Sequence, residues 1–168
     1  MGARRGALVR VVGVGSLGAL ALTSGASRVW VGVDASMREM YYAGYAVNGD
    51  EVRTLIEPAC AAPELVPAPD GADWYAAGSA LAVYREVLLP RLASHCIVME
   101  PNVVASAAAV ARIAALRLAR GEAIDCALAA PLYVRDKVAL TTAERLARGG
   151  RACVRSRHSR AARCKRCR

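Results

Sequence analysis

Histidine is almost missing from this chain. Only His95 and His158 occur in 168 residues, and His158 lies in a basic tail, so a Ser/His/Asp or Cys/His set would have to be built on His95. That residue stands just before an apolar strand pattern, where an imidazole is ordinarily structural. No apolar run of 18 or more residues is free of charge, which excludes a transmembrane helix by length. Cys60, Cys96 and Cys126 are widely spaced in apolar contexts. An odd number without short repeated spacing argues against a disulfide framework and reads as buried free thiols of a cytoplasmic protein. Acids are missing from the end of the chain altogether. Residues 1–147 carry 14 Lys+Arg and 14 Asp+Glu, whereas residues 148–168 carry nine basic residues and no acid, so the formal net charge of +9 belongs to a tail.

What remains is enough for one domain, burying roughly 70% of its unfolded surface. After an irregular start at 1–10, residues 29–57 read as three strands, "VWVGVD", "EMYYAGYAV" and "EVRTLIE", rich in β-branched and aromatic residues. Asn48-Gly49-Asp50 is a hairpin turn, because Asn and Gly tolerate positive φ, and short links make the three a meander. The proline-rich "ACAAPELVPAPDGAD" reads as a surface connection. "WYAAGS" reads as a strand, "ALAVYREVLLPRL" as a helix stopping near Pro90, and "HCIVME" as a buried strand. "NVVASAAAVARIAALRLARG" is an amphipathic helix capped by Asn102, ended by Gly121 and laid on the sheet. "APLYVRDKVAL" ends the body as an extended piece. The order βββ, βα, βα specifies α/β with a mixed sheet.

Gly13, Gly15 and Gly18 spell G-x-G-x-x-G, with Asp34 at the distance of a ribose-binding carboxylate. This motif admits a nucleotide-dependent oxidoreductase. Against it, the chain turns back into the meander after Asp34 instead of entering a crossover helix. Arg4-Arg5 before the same stretch also admits an export signal, which Arg10 and the glycines interrupt. A strand end followed by a short helix, with Leu17, Leu20 and Leu22 as its important residues, is the reading that fits the rest.

Three blocks in order resemble the TsaB family, the glycoprotease-like (Gcp-like) dimerisation subunit of the bacterial tRNA threonylcarbamoyladenosine machinery. The first is Ser16, Leu17, Ala19, Leu20 and Ala21, leading into Asp34, Ala35, Met37, Glu39 and Tyr41. The second is Gly78 followed by Tyr84, with Ala80 replacing the family's second glycine. The third is Pro131, Tyr133, Arg135 and Asp136, the family's Pro-x-Tyr-x-Arg-Asp ending. Ser36 stands where the family has Arg.

The resemblance covers about residues 11–147 and implies one lobe of an actin-like (ASKHA, ribonuclease H-like) fold. The family's first lobe, with its Gly-Pro-Gly-Ser-Phe-Thr-Gly loop, has no counterpart, so the expectation is a second lobe alone, exposing an apolar face and prone to form a homodimer. It further implies a non-catalytic subunit that binds TsaD, with TsaE as a third component and tRNA as an indirect partner. No catalytic, cofactor-binding or metal-binding residue is expected. Asp34 and Glu39 read as solvated turn residues, and Arg135 with Asp136 as a surface ion pair.

The tail from 148 to 168 leaves three readings: a metal knuckle from Cys153, His158, Cys164 and Cys167, of which only the last two have zinc-like spacing; a polycationic arm for nucleic-acid phosphates; or a disordered end, perhaps translated out of frame from a GC-rich gene, as two Lys against 21 Arg suggest. The last is the simplest.

Overall fold

In a computed structural model, residues 9–135 are described. Their order is β1 (Arg10–Val11), α1 (Ser16–Ser24), β2 (Arg28–Asp34), β3 (Met40–Asn48), β4 (Glu51–Ala61), β5 (Trp74–Ala77), α2 (Ala80–Val83), α3 (Arg85–Leu92), β6 (Cys96–Glu100), α4 (Ala107–Ala119) and β7 (Ile124–Asp125). The main sheet runs β4-β3-β2-β5-β6. β2, β3 and β4 form the expected antiparallel meander, while β5 lies parallel to β2 and β6 parallel to β5. The sheet is therefore mixed, and the class is α/β.

Each face of the sheet carries its own core. On one, Trp30, Met40, Trp74 and Ala76 meet Leu88 and Leu92 of α3. On the other, Val29, Val31, Ala43 and Tyr45 meet Leu20 and Ala21 of α1. Leu20 and Leu22 are buried as expected, and Leu17 is half-buried.

Several local expectations are corrected. β4 continues through Pro58 to Ala61; it is an edge strand, where a residue without an N–H costs little pairing. The proline-rich stretch that follows is not merely surface, since Pro63, Val66 and Pro69 are buried. The helix after β5 does not stop at Pro90. It breaks earlier, at Tyr84 (φ −114°, ψ 33°), and α3 runs through Pro90 to Leu92. β6 is an edge strand rather than a buried one, with Ile97 and Val98 exposed.

α4 begins at Ser106, whose hydroxyl accepts from Ala109 N at 3.1 Å, so Ser106 and not Asn102 is its cap. The helix packs on α1 more than on the sheet, setting Ala109 and Ile113 against Ala19 and Leu22. Its arginines turn to the β3–β4 hairpin and its neighbours: Arg112 pairs with Asp50, Arg120 with Glu51, and Arg117 donates to Gly13 O. The cysteines are free but not buried, Cys60 and Cys96 being half-buried and Cys126 exposed.

Candidate functional site

The chain leaves β2 towards β3 on one side, and leaves β5 towards β6 on the other. The carboxyl ends of β2 and β5 therefore flank a topological switch point, the place where open α/β sheets form crevices. Asp34 ends β2, and Gly78 follows β5. Gly78 has φ +110°, and a Cβ there would overlap the carbonyl oxygen of Gly32. Glycine is required on both counts, because an L side chain would be strained in conformation and blocked in space. The close approach lets Ser79 Oγ accept from Asp34 N at 3.1 Å.

Most of the motif positions converge here. Tyr84 Oη donates to Asp34 Oδ1 at 2.7 Å and to Glu39 O at 3.1 Å. The hydrogen bond to Asp34 is also the main reason its phenol is held above the usual value. Arg135 Nη2 lies 2.7 Å from Glu39 Oε2, with the arginine side chain 11% exposed. The same nitrogen donates to Ala35 O at 2.9 Å and Ser36 O at 3.3 Å, and the guanidinium lies over the Tyr41 ring.

Between these clamps sits an unusual turn. Ser36, Met37 and Arg38 have φ of 61°, 57° and 61°, a left-handed run that costs non-glycine residues roughly 1 kcal/mol each. The turn is held by Ser36 N on Asp34 Oδ1, Glu39 N on Ser36 O and Ala35 N on Glu39 O. Met37 stands at its tip, 70% exposed.

Asp34 and Glu39 are thus not simply solvated. They are the two acids that anchor the turn, and Glu39, not Asp136, is the described partner of Arg135. Asp136 and the tail residues Cys153, His158, Cys164 and Cys167 lie outside the described residues. Pro131 and Tyr133 stand apart from the network, and Tyr133 is 82% exposed. Ser79 and Cys60, whose Sγ lies 3.7 Å from Glu39 Oε2, join it without a motif to announce them. Gly32 did carry a signal, since an isolated glycine inside a strand marks a close backbone approach.

Chemically, the network spends its polar groups on one another. Among the described residues no group of three or more His, Cys, Asp or Glu could hold a metal ion. His95 is remote from the network, with Nδ1 2.8 Å from Gly71 O. The G-x-G-x-x-G reading meets a topological obstacle: β1, before the glycines, pairs with β7 and not beside β2, so no parallel dinucleotide-binding unit forms.

No family model matches the chain, and no curated protein does. Solved structures do. The fold resembles YeaZ. YeaZ from Pseudomonas aeruginosa is 29% identical, with a TM-score of 0.63, over 74% of this chain and 60% of that one. A second structure, of an uncharacterized protein from Pseudomonas aeruginosa with similarity to peptidase YeaZ, is also 29% identical, with a TM-score of 0.62, over 73% of this chain and 57% of that one. The chain thus spans about three-fifths of the length of these YeaZ-like structures. The likeness bears out the expected TsaB-like, actin-like fold. No described helix is long and apolar enough to cross a membrane.

Proposed function

We propose that this chain is a non-catalytic, partner-binding subunit of the machinery that places threonylcarbamoyl on adenosine in tRNA. Its direct partner is TsaD, which carries the chemistry, with TsaE as a third component and the cytoplasm as the site of action. The observation that carries this reading is the pairing of a YeaZ-like fold with the gathering of Asp34, Glu39, Tyr41, Gly78, Tyr84 and Arg135 around one turn. A network that satisfies its own acids and cations and holds a strained loop suits the display of a surface rather than the turnover of a substrate. Co-purification with TsaD tests it.

A second reading rests on charge. Residues 148–168 hold nine basic residues and no acid, which favours a nucleic-acid-binding arm acting through phosphates. Such binding to tRNA would weaken steeply with salt and vanish when these residues are removed. Binding retained in that truncation would rule the arm out.

A further inference from the structure

The glycine motif left over from the sequence borders a feature of its own. Gly15 and Gly18 line a pocket of about 210 Å³ between the first turn of α1 and the β3–β4 face, with Arg117 of α4 at its rim. α1 starts with no side-chain cap and no acid in its first turn, which leaves the N–H groups of Ser16, Leu17 and Gly18 without intrahelical partners. An uncapped helix start alone assigns nothing.

The second observation is Tyr45. It is 5% exposed, yet its hydroxyl finds no hydrogen-bond partner among the described residues. It lines the pocket, and its Cε1 and Cζ lie 3.9 Å from where a Cβ of Gly18 would stand. A buried hydroxyl left unpaired carries a desolvation cost, so a ligand that accepts from it would recover a hydrogen bond. Burial, with Glu57 second, pushes the phenol up to about 12, against the opposing pull of Arg117. Tyr45 is therefore a neutral donor at any ordinary pH.

The polar groups differ in sign across the pocket. Helix N–H groups, Tyr45 Oη and Arg117 favour an anion, and Arg117 is fixed at the rim by its 2.7 Å bond to Gly13 O. Glu57, also on the wall, opposes a dianion such as phosphate and offers a counter-charge to an amine. A dinucleotide is too large for this volume. We propose that the pocket binds a small zwitterion of amino-acid size, its carboxylate at the start of α1 with Tyr45 and Arg117 and its ammonium towards Glu57. This site is independent of partner binding.

Titration of the full chain with glycine, acetate and methylammonium, followed by amide chemical shifts, tests the assignment. Glycine saturates the shifts of Gly15 and Gly18 at least about tenfold below either half-molecule, since it alone satisfies both charges. Tyr45→Phe and Arg117→Gln each weaken glycine by about tenfold or more. Glu57→Gln brings glycine to the level of acetate and leaves acetate no weaker. Arg117 and Glu57 lie at the rim and wall rather than in a core, so those variants remain informative if Tyr45→Phe fails to fold. No saturable shift with glycine, equal binding of glycine and acetate by the unaltered chain, or unchanged titrations of Arg117→Gln and Glu57→Gln would overturn the proposal.

Discussion

Arg135 reaches back to Glu39, Nη2 to Oε2 at 2.7 Å, and the same nitrogen spans a sequence separation of 100 residues to grip Ala35 O. The last described residue thus fastens the turn between the first two strands of the meander. Removing the guanidinium leaves Glu39 without its partner and two carbonyls without their donor. Arg135→Ala is expected to lower the urea midpoint, with Arg135→Lys recovering only part of the loss, because a point charge cannot replace a fork. A double-mutant cycle with Glu39→Gln measures the coupling, and additive losses would show that the pair does not hold the turn.

The turn itself gives a prediction of opposite sign. Arg38 is exposed at φ 61°, so Arg38→Gly relieves strain and stabilises by about 0.5–1 kcal/mol, whereas β-branched Arg38→Val destabilises. Thermal unfolding of the two variants checks the sign.

Two glycines separate space from conformation. Gly78→Ala meets the Gly32 carbonyl at φ +110° and is expected to cost more than about 2 kcal/mol. Gly13→Ala has open space around it and stays within about 0.5 kcal/mol of the parent. Equal effects in chemical denaturation would contradict the close approach.

Legibility in the sequence followed locality. The meander and its Asn48-Gly49 turn were readable because alternation, β-formers and turn chemistry lie side by side. The cap of α4 was missed because Asn102 and Ser106 have the same chemistry, and only the position of the first helical turn separates them. Tyr84 breaks its helix where its hydroxyl meets Asp34 and Glu39, a tertiary contact no periodicity reports. The resemblance named most of the network residues, but nothing local joined Arg135 to Glu39. The adjacent Asp136 offered a nearer partner, and chain proximity was the wrong guide.

Alkaline pH tests the burial of Tyr45. Its folded value of about 12 lies above the model value of 10.0, so the unfolded chain loses this proton first and holds fewer protons through that window. Stability is therefore fully present below about pH 10 and falls as pH rises towards 12, by an amount on the order of 2 kcal/mol. Cys96, raised to about 11 by burial, acts in the same direction from a lower starting pH. Tyr45→Phe flattens the tyrosine part of the dependence, and phenolate absorbance against pH identifies the late-titrating ring.

The α4 cap is expected to contribute about 1 kcal/mol. Ser106→Ala removes the acceptor for Ala109 N and destabilises by that order, with Ser106→Asp nearly neutral. Asn102→Ala, four residues too early to cap, leaves stability unchanged in the same denaturation series.

The central claim is partner binding, and co-purification with TsaD tests it most directly. Tagged TsaD, co-expressed with the full chain, is expected to retain it through affinity and size-exclusion steps in a stoichiometric complex. A full-length TsaB that stays with TsaD under conditions where this chain elutes alone would contradict the account and leave only a shared fold.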